Sequence, residues 1–522
     1  MIRTSCTVGV RPKRKRGRAW SPQALFTVGK PQLSSFRSVQ PPNFSRQLQR
    51  FHRRRFRRDF QQGSTGVRLR RSGHCSACPR EASTCPANLS PLEPPVPDRS
   101  DHLTLNVNLQ AFGQRPSAWQ FSTGNPAALV EPDHWIASAR AAERGLLDAV
   151  FFADQPALHN PNPRPGNPLE PITLASLITS ATDHVGVIGS ASTTYNDPVE
   201  LAERLLSADA LSGGRLGWNV VTTYNKAVSA NFGLPEAPGR QERYRRAGEF
   251  VDAVKAVWAA AAGDGKYLHH GEFFQLEGTT ALGPSAQGSP VIFQAGGSEQ
   301  GRDLAARHAE GVFAVELTLP RAVENYADLK RRAAAAGRHA GVPRITPGLS
   351  LVIGSTVAEA RARFDEFEAL VPDNYALRSL SSVIAHDAST LALDEPIPAK
   401  ILDKPWDPDT HPTSTGYRLT FLDWIQERRH QSLREVLRDF GGYGSRIIIG
   451  TPEQIADDME LWFRSFAADG FNLMIDQFPD GLHTFADHVV PLLQRKGIHK
   501  REYGASTLRD GIGAGLALDL VG

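Results

Sequence analysis

The amino-acid sequence predicts an α/β fold in which eight parallel strands and their helices close into a (β/α)8 TIM barrel. From residue 102 onward, apolar strand-like segments alternate with amphipathic helices, and strict alternation favours a parallel sheet. Eight such units in about 400 residues, with insertions, fit a closed barrel. An open doubly wound sheet usually has a glycine-rich turn after its first strand, whereas residues 110–115 contain only Gly113.

Each strand is predicted from a short apolar or alternating segment, and each helix from apolar residues at helical spacing. The predicted strands are residues 103–110, 148–154, 185–193, 215–223, 290–296, 311–316, 345–354 and 470–478. The predicted helices are residues 132–144, 171–182, 198–211, 240–260, 298–309, 320–336, 357–370, 452–467 and 482–496. Two insertions interrupt the pattern: an extended hairpin-like segment at 267–276 and a Pro/Asp-rich segment from about 371 to 445.

Charge divides the chain into two parts. Residues 1–100 contain 21 Lys and Arg against 4 Asp and Glu, whereas residues 101–522 contain 38 against 51. The first part has little hydrophobic periodicity and cannot offset the entropy of ordering, so we predict a disordered basic segment. The predicted organisation is therefore this segment (1–100), a barrel (101–505) and a C-terminal tail (506–522).

Three interpretations of the basic segment remain open. Runs such as Lys13–Arg16 would attract nucleic-acid phosphates, but the acidic barrel argues against nucleic acid as a partner. Arg54 and Arg55 resemble a twin-arginine export signal, but no apolar segment follows them. The interpretation we favour is translation from an upstream start, with Val96 as a candidate for the working start.

Composition also limits the chemistry of the acidic part. All four cysteines lie in the basic segment, at Cys6, Cys75, Cys78 and Cys85. The barrel therefore has no thiolate nucleophile, and it lacks the His spacing of metal ligands, so we expect no metal there. A zinc site at Cys75, Cys78 and Cys85 with His74 lacks a second paired knuckle. No run approaches the roughly 18 apolar residues of a membrane span, and we expect a cytoplasmic protein.

Polar side chains follow the predicted strands at the end where a barrel of this kind has its active site. Asp154 ends the second strand, Ser190 and Thr193 end the third, and Asn219 lies in the fourth. The fifth strand ends in Gly296-Gly297-Ser298, where Ser298 can cap a helix whose N-terminus favours a phosphate. A plain capped helix after a tight turn is the alternative. Together these groups suggest a site for a polar ligand that supplies its own chemistry.

Several segments, taken in order, resemble the nitrilotriacetate monooxygenase component A family of bacterial-luciferase-like flavin enzymes. The most specific is Ser212–Thr222, with the sequence Ser-Gly-Gly-Arg-Leu-Gly-Trp-Asn-Val-Val-Thr. The other matching segments are 142–143, 150–154, 192–198, 231–233, 243–250 and 290–298. Members of this family act on aminopolycarboxylates, dibenzothiophene sulfone and pristinamycin-type compounds.

The resemblance implies an FMN site at the mouth of a luciferase-like barrel. It assigns Asp154 to contact with the flavin, and Ser190 and Thr193 to the lining of the flavin site. Tyr244 and Ser298 would hold the phosphate end, which agrees with the helix-terminus argument.

One position departs from the family. Arg240 stands where relatives usually have His, four residues before Tyr244. An arginine can still pair with a phosphate, so Arg240 stays among the expected cofactor contacts.

The resemblance also implies the reaction. Reduced FMN (FMNH2), supplied by a separate NAD(P)H:flavin reductase, would react with O2 to a C4a-hydroperoxide that oxygenates a small organic substrate. The protein would orient the substrate and exclude water, with the two insertions as candidate lids. We expect a homo-oligomer, either a dimer or a tetramer. The alternatives are a deazaflavin-dependent oxidoreductase of the same fold and a non-enzymatic protein that associates with nucleic acid through the basic segment.

Overall fold

The structure, a computed structural model, describes residues 101–121, 125–157, 166–236, 238–371, 374–406, 415–439 and 444–515. The predictions for the basic segment and its cysteines lie outside these residues.

Eight parallel strands close into a barrel, as the sequence predicts. In ring order they are β1 (Thr104–Asn108), β2 (Ala149–Phe152), β3 (Gly186–Ser192), β4 (Leu216–Val221), β7 (Val291–Gln294), β8 (Gly311–Ala314), β9 (Arg344–Ile353) and β11 (Gly470–Ile475). The ring closes where β11 pairs with β1, with Asn472 opposite Asn106. Each of the eight predicted strands is present, with ends that differ by a few residues.

Helices surround the barrel. The helices before the second insertion are α1 (Ala118–Phe121), α2 (Pro132–Arg144), α3 (Pro171–Ala181), α4 (Pro198–Leu211), α5 (Lys226–Asn231), α6 (Arg240–Ala262), α7 (Glu299–His308), α8 (Leu319–Ala335) and α9 (Val357–Glu368). Several begin with proline behind a side-chain cap: Asp197 accepts from the backbone N–H groups of Val199 and Glu200 at the start of α4. The first insertion is the antiparallel hairpin β5 (Lys266–His270) and β6 (Gln275–Thr279), as predicted.

The second insertion is helical and has its own apolar core. It comprises α10 (Asn374–Ile384), α11 (Ala399–Leu402), α12 (Thr415–Glu427) and α13 (Leu433–Asp439). Leu380, Val383, Phe421 and Ile425 belong to this core. A strand that the sequence did not predict follows it: β10 (Arg446–Gly450) pairs in parallel with the second half of β9. It was missed because it is short and directly follows the insertion.

Side chains along each barrel strand alternate between an inner face, toward the barrel axis, and an outer face, toward the helices. Ala149, Phe151, Ile188 and Phe293 form one inner cluster. The outer face carries residues such as Val150 and belongs to the larger core between strands and helices.

The last helices complete the bottom of the barrel. They are α14 (Pro452–Arg464), α15 (Asp480–Thr484), a π-helical turn (Phe485–Val489), α16 (Val490–Arg495) and α17 (Leu508–Gly511). Leu508 and Ile512 pack into the inner cluster, and a Cβ added at Gly186 would lie 2.8 Å from Leu508 Cδ1. Residues of the segment that was predicted to be a C-terminal tail (506–522) thus help to close the barrel. Within the described residues, no helix has the length and apolar character that crossing a membrane requires.

We predict that Leu508→Ala lowers the free energy of unfolding by about 2–5 kcal/mol, because it leaves a cavity at the closed end of the barrel. Leu211→Ala is the control: Leu211 is 87% exposed, and its loss should change the stability by no more than about 0.5 kcal/mol. Urea denaturation of both variants measures the difference. Equal effects would contradict the packing of the C-terminal segment against the inner cluster.

Candidate active site

Asp154 follows β2 by two residues, at the open end of the barrel. Asp154 lies at the surface, yet the protein packed around its carboxyl group raises its pKa to about 6. Burial is the main cause, the negative charge of Glu170 adds to it, and Arg204 acts in the opposite direction. The carboxyl group of Asp154 therefore holds a proton more readily than an ordinary aspartate does.

Ser190 lies on the inner face of β3, where it is almost completely buried. Its Oγ accepts a hydrogen bond of 2.8 Å from Nδ2 of Asn219, its direct neighbour on β4. A serine hydroxyl has one hydrogen, and this contact does not use it. Ser190 can therefore donate to a ligand at the mouth of the barrel.

Thr193 lies one residue beyond β3 and is tied to two neighbouring elements. Its backbone N–H donates to the carbonyl of Val221, at 2.9 Å. Its carbonyl accepts from the guanidinium of Arg246 on α6, which also lies over the ring of Phe274 at 4.8 Å. Arg246 thus attaches the end of β3 to α6 and to the hairpin insertion.

Tyr244 and Ser298, both predicted from the resemblance, are in contact. Ser298 caps α7: its Oγ accepts from the backbone N–H of Gly301 at 3.1 Å. The same hydroxyl donates to Tyr244 Oη at 3.3 Å. The phenolic hydrogen of Tyr244 is not used in this contact, so it can donate to an acceptor near the N-terminus of α7.

The backbone is closely packed on both sides of the turn before Ser298. A Cβ added at Gly296 would lie 3.0 Å from the Cα of Gly301. On the other side, a Cβ at Gly416 of α12 would overlap the backbone of Gly297. The helical insertion therefore sits directly on the turn that begins α7.

Two arginines occupy the first turns of α6. Arg240 is its first residue and is half-buried. Arg243, which the sequence analysis did not select, is only 9% exposed. Its Nη1 donates to the carbonyl of Pro238 at 2.8 Å, and its guanidinium lies 5.5 Å from the ring centre of Tyr224. Burial lowers the pKa of Arg243, and the nearby charge of Arg240 lowers it further.

Four asparagines lie on the inner face of the barrel strands, and we call them the buried amides: Asn106, Asn108, Asn219 and Asn472. Each is at most 6% exposed. Oδ1 of all four, and Nδ2 of Asn472, have no hydrogen-bond partner among the described residues. Each unpaired buried polar atom costs about 1–3 kcal/mol, so a cluster of them is unusual in a folded protein. Of the four, only Asn219 was predicted from the sequence to lie near the active-site end of the barrel.

The described residues contain no group of three or more His, Cys, Asp or Glu side chains placed to hold a metal ion. The site instead consists of hydroxyls, amides and arginines around the strand ends and the start of α7. Such groups fit a flavin mononucleotide: Tyr244 and the N-terminus of α7 suit its phosphate, and Ser190 and Asp154 suit its polar ring.

Comparison with known proteins gives matches over most of the chain. The luciferase-like monooxygenase family matches residues 116–469. Nitrilotriacetate monooxygenase component A of Aminobacter aminovorans is 34% identical over 444 residues, which cover 79% of this chain and 96% of the relative.

Two solved structures are similar in both sequence and fold. EDTA monooxygenase from Chelativorans sp. BNC1 is 35% identical with a TM-score of 0.67, and the match covers 79% of this chain and 98% of that one. A riboflavin lyase, solved with modified FMN and riboflavin, is 27% identical with a TM-score of 0.67, covering 79% and 96%. The chain belongs to the luciferase-like monooxygenase family and is a flavin-dependent monooxygenase.

Proposed function

We propose that the chain is the oxygenating component of a two-component system that uses FMNH2 and O2 to oxygenate a small organic substrate. A separate NAD(P)H:flavin reductase supplies the reduced FMN. The observation that carries this proposal is the hydrogen-bonded pair of Tyr244 and Ser298 at the N-terminus of α7. Bound FMNH2 supplies the oxygen-activating chemistry, and the protein positions it.

The phosphate end of the cofactor is assigned to this pair. The N-terminus of a helix favours an anion because its backbone N–H groups and its dipole face outward. Tyr244 adds a hydroxyl donor, and Arg240 and Arg243 add positive charge on the adjacent helix. The buried Nε of Arg243 has no hydrogen-bond partner among the described residues, so a bound phosphate would provide both an acceptor and a counter-charge.

The ring of the cofactor is assigned to the ends of β2 and β3. Ser190 can donate a hydrogen bond from the inner face, and Thr193 is held in place by Val221 and Arg246. Asp154 follows the neighbouring strand, and the protein around its carboxyl group raises the pKa of that group to about 6. The helical insertion covers the α7 side and would exclude water there.

A separate source of reduced flavin is supported by two observations. The relative from Aminobacter aminovorans is named as component A of a monooxygenase. In this chain, the turn after β1 contains only one glycine and lacks the fingerprint of a dinucleotide-binding site.

We predict that Tyr244→Phe and Ser298→Ala each weaken FMN binding by about tenfold and leave riboflavin binding nearly unchanged, because only FMN has the phosphate. Fluorescence titration with both flavins measures this ratio. Tyr326→Phe is the matched control, since its hydroxyl bonds to Asp469, and it should bind FMN like the unaltered protein. An equal loss for FMN and riboflavin would argue against a phosphate site here.

We predict that the affinity for riboflavin, which has no phosphate that titrates in this range, changes with pH around 6, because the pKa of Asp154 is raised to about 6 and the carboxyl is mostly protonated below that pH. Glu170→Gln removes a like charge and should move the midpoint to lower pH. Arg204→Gln removes an opposite charge and should move it to higher pH. Titrations from pH 5 to about 8 measure the midpoints.

Asp154→Asn is the control for this assignment and should remove the pH dependence in that range. If the dependence persists in Asp154→Asn, another group titrates at the flavin site.

A further inference from the structure

The proposed flavin contacts leave the β8 side of the barrel mouth free. The ring is assigned to the ends of β2 and β3, and the phosphate to the N-terminus of α7, which follows β7. In the ring order, β8 is the next strand beyond β7 and lies away from β2 and β3. A substrate that meets the flavin ring therefore has the end of β8 available for its binding.

The end of β8 offers an apolar surface. Phe313 lies on the inner face, opposite Thr346 of β9, and its ring centre is 5.5 Å from that of Phe151 in the inner cluster. Val315, two residues further, packs against the core of the helical insertion. Both Phe313 and Val315 are only partly buried. An accessible apolar surface thus connects the inner cluster with the insertion.

Tyr417 of α12 lies across the end of β8. Its preceding residue, Gly416, is packed against the backbone of Gly297, in the turn that follows β7. On the other side, a Cβ added at Gly444 would lie 3.8 Å from the hydroxyl oxygen of Tyr417. Gly444 leads into β10, which pairs with β9 on its β8 side because β11 occupies the other edge. Tyr417 therefore connects the elements on both sides of β8.

The hydroxyl of Tyr417 makes no hydrogen bond within the part of the chain that the structure describes. Tyr503 shows the ordinary situation: it is also partly buried, and its hydroxyl donates to the carbonyl of Leu147 at 2.7 Å. A phenol that is withdrawn from water usually finds such a partner. Burial raises the pKa of Tyr417, so the hydroxyl keeps its hydrogen at neutral pH. It can therefore donate to an acceptor on a bound molecule.

The charged residues beside this surface are directed elsewhere. The carboxylate of Glu316 accepts from Nδ2 of Asn325 on α8, at 3.0 and 3.1 Å. Arg418 donates to the carbonyl of Val383 on α10, and its guanidinium lies 4.6 Å from the ring centre of Trp406. The described residues that form the surface thus offer no counter-charge to a carboxylate, and burial of an unpaired charge is strongly unfavourable.

We propose that Phe313, Val315 and Tyr417 form the substrate pocket, and that this pocket accepts an uncharged, mainly apolar molecule with an acceptor oxygen, such as a ketone. The inference rests on the proposed function and names the substrate class of the same site. Phe313 and Val315 contact the apolar body of the substrate, and the Tyr417 hydroxyl donates to its oxygen. Tyr417 is thus a residue that determines specificity, because it recognises one polar atom on an otherwise apolar ligand.

The test uses the full chain saturated with FMN and three probes of similar shape, with binding measured by calorimetry. Acetophenone has a carbonyl acceptor, α-methylstyrene has a methylene group in place of that oxygen, and 4-acetylbenzoate adds a carboxylate. In the unaltered protein, acetophenone should bind more tightly than 4-acetylbenzoate. In Tyr417→Phe, the affinity for acetophenone relative to α-methylstyrene should fall by about three- to tenfold, because one hydrogen bond is lost. The affinity for α-methylstyrene itself should stay unchanged.

Tyr503→Phe is the matched control. Its hydroxyl is already paired with Leu147, which precedes β2 at the closed end of the barrel. This variant should lower the melting temperature and keep the relative affinities, whereas Tyr417→Phe should keep the melting temperature, because its hydroxyl is not paired in the free protein.

Three results would overturn the inference: relative affinities that Tyr417→Phe leaves unchanged, tighter binding of 4-acetylbenzoate than of acetophenone, or binding of none of the probes by the FMN-saturated protein. Each of them leaves the proposed function standing, because FMN is bound. If the unaltered protein does not bind FMN, the proposed function itself fails, and this inference fails with it.

Discussion

Pairing of β1 with β11 closes the barrel, and the candidate site depends on this closure. It brings Asn106 opposite Asn472 and gathers the ends of all eight strands at one opening. The opposite end is filled by Leu508 and Ile512 from the C-terminal segment. A ligand therefore has one open end to enter, lined by the residues that follow the strands.

Helix α6 connects the elements that surround this opening. From its first two turns, Tyr244 reaches Ser298 beyond β7, and Arg246 reaches Thr193 beyond β3. One helix thus holds the elements on both sides of β4 at a fixed separation. The helical insertion then contacts the same turn through Gly416 and Gly297. The proposed phosphate site, the strand ends and the helical insertion are parts of one connected structure, so movement of the insertion would displace the start of α7.

Hydrophobic periodicity was sufficient to predict the eight strands and most helices, because each buries one face or both. The cap at Ser298 was also predictable, since its residue type and position follow from local chemistry. Contacts between residues that are distant in the sequence could not be predicted. Tyr244, for example, was selected only through the resemblance to a family. Arg243 and Arg246 were missed because arginines on an amphipathic helix usually lie on the solvent face, whereas here they point to the barrel mouth.

The buried asparagines show a different limit. A single Asn within an apolar strand has no pattern of its own, and only the register shows that four of them share the inner face. The helices of the second insertion were not predicted because that segment is rich in proline and aspartate. Strand β10 was not predicted because it is short.

The most direct test of the account is an anaerobic titration of the full chain with FMNH2, followed by flavin fluorescence and absorbance, with a reduced deazaflavin as the competing cofactor. We expect saturable binding of one FMNH2 per chain, with the deazaflavin binding much more weakly. Saturable binding of the deazaflavin without binding of FMNH2 would contradict it and would favour an oxidoreductase of the same fold that does not activate oxygen.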